Sequence, residues 1–141
     1  MDMRDVDRAL VQAAGAVARL RCRSDRHTVA AAVRTPEGRV FTGVNVRHAT
    51  GDTCAEVVTL GTAVTQGATG LETIVAVGDR GREILPPCER CRRLLLDHHP
   101  RLRVIVGPPD DPRVLLLGDL PADPAPADLP ESAGPGVLPA S

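Results

Sequence analysis

Val6, Ala9, Leu10, Ala13, Val17 and Leu20 recur at three- and four-residue spacing between Asp5 and Arg21, which predicts an amphipathic helix. Two β-rich stretches, Thr28 to Val33 and Val40 to Val44, flank Thr35-Pro36-Glu37-Gly38. This is a strand–turn–strand pattern with proline and glycine in turn positions. Residues 45–53 are polar and read as a loop. A second helix is expected from Cys54 to about Gln66, capped by Asp52 or Thr53 and stopped by Gly67. Leu71 to Val77 is an apolar strand pattern, and Pro86-Pro87 is placed to open a third helix from Cys88 to about His99. Leu102 to Val106 and Val114 to Leu117 complete the set as strands. The order α-β-β-α-β-α-β-β predicts an α/β domain, a mixed sheet covered by helices.

The pattern stops near Asp119. Six prolines and five alanines in the last 23 residues carry no periodicity, so residues 1–118 are expected to form the domain and 119–141 a disordered tail. With 141 residues, 43% of them hydrophobic, the chain can bury one good core. A net charge of −1 gives no general attraction to nucleic acid or anionic lipid. All 17 basic residues are arginine, which reads first as coding bias, and Phe41 is the single aromatic. Met1-Asp2-Met3-Arg4-Asp5 lacks the apolar stretch of a signal peptide, and no apolar run approaches the roughly 20 residues that span a bilayer. A cytoplasmic protein with neither nucleic-acid nor membrane partner is expected.

Chemistry concentrates in Thr53-Cys54-Ala55-Glu56 and Pro87-Cys88-Glu89-Arg90-Cys91. Three thiolates fill three corners of a tetrahedral zinc and leave the fourth for water, as in a catalytic site; a structural zinc normally has four protein ligands. Cys54 and Cys88 each open a predicted helix, where the dipole favours thiolate, and Cys88 and Cys91 are three apart on one face. Glu56 is spare as a ligand and suited to moving protons, although a first-turn glutamate also simply complements the helix dipole. Zinc with three thiolates sums to about −1, so a cation is expected nearby. Arg90 is the first candidate, its other reading being a solvated helix face. Cys22 reads as a packed or free thiol and His98 and His99 as helix-end residues. His27 and His48 could contribute to the pocket, though both read more simply as loop residues.

A Cys or His ligand, a glutamate two residues on and a later Pro-Cys-x-x-Cys is the layout of the zinc nucleobase deaminases. The chain resembles the cytidine deaminase family, most closely its blasticidin-S deaminase branch. The likeness runs from about Thr28 to Val106 through Gly38-Arg39-Val40-Phe41-Thr42-Gly43-Val44-Asn45-Val46, His48, Thr50-Gly51, Cys54-Ala55-Glu56, Leu60-Gly61-Thr62, Arg82, Pro87-Cys88, Arg90-Cys91-Arg92 and Leu95-Leu96-Asp97. The resemblance implies a three-layer α/β/α sandwich with a five-stranded mixed sheet, usually a homotetramer whose active sites draw on neighbouring subunits. It implies Zn2+ held by Cys54, Cys88 and Cys91, with Glu56 as proton shuttle. Substrate contacts are expected from Thr28, Asn45, Ala55 and Arg82, with Arg90 beside the thiolates. Asn45 matches an asparagine that bonds the sugar and also suits a turn; Arg82 matches a substrate-side residue and also suits a loop. Departures are Arg47 in place of a sugar-binding glutamate, Val57 in place of a compensating arginine, and Ala49 in place of an aromatic. Pro86, Glu89 and Arg93 also depart, and the aromatic C-terminal segment is replaced by Leu120-Pro121 and the tail.

The expected function is hydrolytic deamination of a free cytosine nucleoside, or a blasticidin-like cytosine nucleoside antibiotic, to the uracil form, in the manner of pyrimidine salvage. Two other readings stand beside it. Arg47, Arg80, Arg82 and Arg93 could favour a nucleotide or another anionic amine-bearing ring, and a non-catalytic zinc-binding oligomer would need only the cysteines.

Overall fold

The computed structural model describes residues 1–79 and 83–121. Its elements are α1 (Asp5–Arg21), β1 (Val29–Arg34), β2 (Val40–Val44), α2 (Ala55–Thr65), β3 (Thr73–Gly78), α3 (Glu89–His98), β4 (Arg103–Val106), β5 (Arg113–Leu116) and a short 3-10 turn, Leu117–Asp119. The five strands form one mixed sheet in the order β2-β1-β3-β4-β5. Only the β3–β4 pair is parallel, and its connection runs through α3, as a parallel pair requires.

The central strand explains the layering. Every residue of β1 is buried, and successive side chains point to opposite faces. Ala30 and Ala32 join Leu10, Ala14 and Ala18 of α1, with Val75 and Val77 of β3, in one apolar cluster. Val33 points the other way, with Leu60 and Ala63 of α2, Ile74 of β3 and Leu95 of α3. The α/β/α sandwich follows: α1 on one face, α2 and α3 on the other. Alanines in β1 and α1 leave room for backbone-close packing of helix on sheet.

Gly43 of β2 marks the tightest approach on the second face. A Cβ there would lie 2.7 Å from Thr59 Oγ1, 3.0 Å from Thr59 N and 3.1 Å from Val58 Cγ1. Thr59 donates in turn to the Ala55 carbonyl at 2.7 Å, so β2 sets the height of the first turn of α2. Near the sheet's edge, the Arg39 guanidinium lies 4.8 Å from the centre of the Phe41 ring.

An ion cluster ties α1 to the sheet. Arg34, with a side chain 7% exposed, reaches Asp7 Oδ1 at 2.8 Å and Glu72 Oε1 at 2.7 Å. It also donates to the Val6 carbonyl and to Thr73 Oγ1. Burial pulls the Asp7 carboxyl up, but bonds from the Arg4 backbone N–H and the Arg34 guanidinium outweigh it and hold it below the usual carboxylate range.

Two expected helix starts are corrected. Cys54, not Asp52 or Thr53, is the N-cap of α2; Asp52 instead accepts the His48 backbone N–H at 2.9 Å. The Pro86-Pro87 pair lies ahead of α3, whose N-cap is Cys88. Gly67, at φ +93° just past the C-cap of α2, is the left-handed stop expected of glycine. Arg82 and residues 122–141 of the expected tail lie outside the described residues. No described helix is long and apolar enough to cross a membrane.

Candidate active site

Cys54 and Cys88 occupy equivalent places, each the extended-backbone N-cap of a helix on the same face of the sheet. Cys91 lies in the first turn of α3. The three sulfur atoms lie within 4.8 Å of one another, Cys54 Sγ and Cys88 Sγ being 3.8 Å apart. Tetrahedral zinc with Zn–S bonds of about 2.3 Å places sulfurs about 3.8 Å apart, so the donor set fits that ion.

The thiols behave as a crowded set. The helix ends alone would favour thiolate, yet Cys88 and Cys91 are both raised. For Cys91 the causes are hydrogen bonds to Cys54 and Cys88, then burial; each sulfur opposes a neighbour's negative charge. A divalent cation reverses that preference and displaces the thiol protons. Arg90 approaches from α3: one guanidinium nitrogen lies 3.7 Å from Cys54 Sγ and 3.2 Å from the Asp52 carbonyl. That bond to sulfur is the main reason the Arg90 pKa is raised.

Glu56, one turn position from the N-cap, is 5% exposed. Its carboxyl is pushed up to about 7, chiefly by burial. A bond from its own backbone N–H opposes the rise and the Cys54 charge adds to it. Ala55 beside it is fully buried.

Asn45 and Thr28 meet, as neighbours across the β1–β2 end. The Thr28 and Val29 N–H groups donate to Asn45 Oδ1 at 2.7 and 3.0 Å, and Asn45 Nδ2 donates to Thr28 Oγ1 at 2.9 Å. Asn45 is 1% exposed, and its backbone carbonyl contacts His27 Nδ1 at 2.8 Å. Arg93 is exposed and pairs with Glu89. Sequence reasoning overlooked Arg26, which with Asp25, Arg47, His48, Ala49 and Asp52 lines a cavity of about 560 Å³. The run Arg19-Leu-Arg-Cys-Arg-Ser-Asp-Arg26 was the available signal.

Residues 4–107 match the family described as the cytidine and deoxycytidylate deaminase zinc-binding region. A blasticidin-S deaminase of Bacillus cereus is 34% identical over 91 residues, 58% of this chain and 65% of that protein. A cytidine deaminase of Mycobacterium tuberculosis is 37% identical over 97 residues, 67% of this chain and 70% of that one. The crystal structure of a cytidine deaminase from Burkholderia pseudomallei superposes with a TM-score of 0.67 at 32% identity, covering 86% of this chain and 98% of that one.

Proposed function

Because the chain belongs to the cytidine and deoxycytidylate deaminase zinc-binding family, we propose that it is a zinc-dependent hydrolase converting a free cytosine nucleoside to its uracil form with release of ammonia. The observation that carries this reading is the meeting of three cysteine sulfurs at the start of the helix whose first turn holds a buried glutamate. Cys54, Cys88 and Cys91 are assigned as zinc ligands. Zinc bound there supplies a Lewis acid that activates water for attack on the amino-bearing ring carbon.

The chain's own groups do the rest. Glu56 takes the water proton on a carboxylate oxygen and passes it to the ring nitrogen, then takes the proton of the hydroxyl added to the ring and passes it to the departing amine. Burial raises the Glu56 carboxyl, which suits a group that serves first as base and then as acid. Arg90, against the Cys54 sulfur, offsets the charge of three thiolates. Thr28, Asn45, Ala55 and Arg82 are assigned to the substrate. Asn45 uses its oxygen and one amide hydrogen within the fold, leaving the second hydrogen for a sugar hydroxyl. The Ala55 N–H opens α2 and has no partner within the helix.

Blasticidin-like nucleosides are included as substrates, in view of the relative named blasticidin-S deaminase. A cytoplasmic setting, with a part in pyrimidine salvage, suits thiolates that must stay reduced. A homotetramer, the assembly that the family likeness implies, is proposed with it.

The test is ammonia release from cytidine, deoxycytidine and blasticidin S by zinc-loaded protein, with Glu56→Ala alongside. The variant is expected to keep its zinc and lose about 10²–10⁴-fold in turnover. Near-normal turnover by Glu56→Ala would overturn the assignment.

A further inference from the structure

The cavity of about 560 Å³ lies outside the roles assigned so far, and the Arg90 side chain touches both a residue of its lining and one of the cysteines. The Arg90 nitrogen 3.7 Å from Cys54 Sγ also donates to the carbonyl of Asp52, and Asp52 is part of the cavity lining. The lining comes from two segments, residues 25–26 between α1 and β1 and residues 47–52 leading into Cys54. They are joined where the Arg47 N–H donates to the Arg26 carbonyl at 2.9 Å.

Its polar groups are mostly donors. Arg26 makes no side-chain hydrogen bond or ion pair among the described residues. Arg47, with a side chain 44% exposed, makes only long contacts, 3.6 Å to Asp52 Oδ2 and 3.4 Å to the Asp25 carbonyl. Most of its five donors therefore remain for a ligand. His48 Nδ1 accepts the Thr50 backbone N–H at 3.1 Å and meets Thr50 Oγ1 at 2.6 Å, which puts the ring proton on Nε2 as a further donor. Of the two carboxylates, Asp52 is occupied by the His48 N–H and Arg47. Asp25 is exposed, where water and salt screen it. Ala49 adds no bulk.

We propose that this cavity is a specificity subsite for an anionic substituent of the substrate, a phosphate or a carboxylate carried on the sugar side of a cytosine compound, with Arg47 and Arg26 as its recognition cations. A planar guanidinium forks onto either group. The inference rests on the deaminase reading and narrows its substrate class.

The test compares kcat/KM of the zinc-loaded full chain for cytidine, cytidine 5′-monophosphate and cytidine with its 5′ carbon oxidised to a carboxylate. Wild type, Arg47→Gln, Arg26→Gln and, as a control away from the cavity, Arg101→Gln are measured at low and high salt. Calorimetric binding of the matching uracil products supplies a readout independent of turnover. At least one anionic compound is expected to exceed its neutral counterpart by about 10- to 100-fold. Salt and Arg47→Gln should lower that ratio and Arg101→Gln should leave it; which anion wins identifies the source. Cytidine turned over as well as both anionic compounds, or a ratio untouched by Arg47→Gln, would overturn the subsite while leaving the deaminase intact. No turnover of any cytosine compound would overturn the deaminase reading, and the subsite with it.

Discussion

Gly43→Ala is the sharpest probe of how the fold positions the site. The added methyl carbon would stand 2.7 Å from Thr59 Oγ1, where ordinary contact begins near 3.4 Å. Turning the hydroxyl aside does not suffice, because Thr59 N at 3.0 Å and Val58 Cγ1 at 3.1 Å also crowd the position. The helix must therefore move from β2 by up to about 0.7 Å. Overpacking of this kind costs about 1–3 kcal/mol, and for a domain of this size that lowers Tm by roughly 4–12 °C. The same movement carries Cys54 and Glu56, since both stand at the start of α2. Misplacement by about 1 Å can cost about 10² in rate, so a fall in kcat of about 10-fold or more is expected. Gly61 in the same helix has nothing within 4 Å of a Cβ, so Gly61→Ala should raise stability by about 0.5–1 kcal/mol. Adding Thr59→Ala to Gly43→Ala relieves the tightest contact and should recover part of the loss. Calorimetry and steady-state ammonia release read both quantities. Wild-type Tm and kcat in Gly43→Ala, or an equal loss in Gly61→Ala, would refute the reasoning.

Arg34→Met leaves the Asp7 carboxylate, 1% exposed, with only the exposed Arg4 as cation. Removing one partner of a buried pair costs about 3–5 kcal/mol, measurable by urea unfolding. Asp7 and Glu72 both titrate below the ordinary carboxylate range in the fold. The unfolded chain therefore binds more protons between the two values, and their stabilisation is complete above about pH 5 and fades as pH falls further. The variant should show a flatter acid limb than wild type; an unchanged limb would argue against the cluster. Cys91→Ser should lower zinc stoichiometry in metal analysis and make Tm insensitive to chelator, whereas wild type should lose several degrees on chelation.

The extent of α1 was legible to both ends, but its buried face was not: of the apolar positions read, Leu10 is buried while Val6, Ala9 and Leu20 are exposed, and Asp7, Ala14 and Ala18 face the core instead. β1 was legible as a strand from its Val and Ala run, but burial on both faces removes the alternation that marks a boundary, and it begins one residue later than expected. The cap of α2 was misread for a local reason: aspartate and threonine are common N-caps, but here the cluster geometry places Cys54 there. The cluster of three cysteines that could hold a metal was readable from spacing, because Cys88 and Cys91 share one turn and Glu56 follows Cys54 closely. The Arg34 cluster was not, since Asp7 and Glu72 lie 27 and 38 positions away; the β1–β3 register brings Glu72 to Arg34, and the packing of α1 on the sheet brings Asp7. The Arg26 and Arg47 cavity was hidden likewise, being formed by two loops that the strand pair β1–β2 joins.

The lone ring of Phe41, capped by Arg39, has a practical corollary. With no tryptophan or tyrosine in the chain, the protein is nearly dark in the near ultraviolet. Intrinsic fluorescence will not follow its unfolding, and its concentration is better taken from peptide absorbance or amino-acid analysis. The same darkness is an advantage at the bench. Pyrimidine absorbance can be followed directly through an excess of protein, so single-turnover measurements are open without a coupled assay.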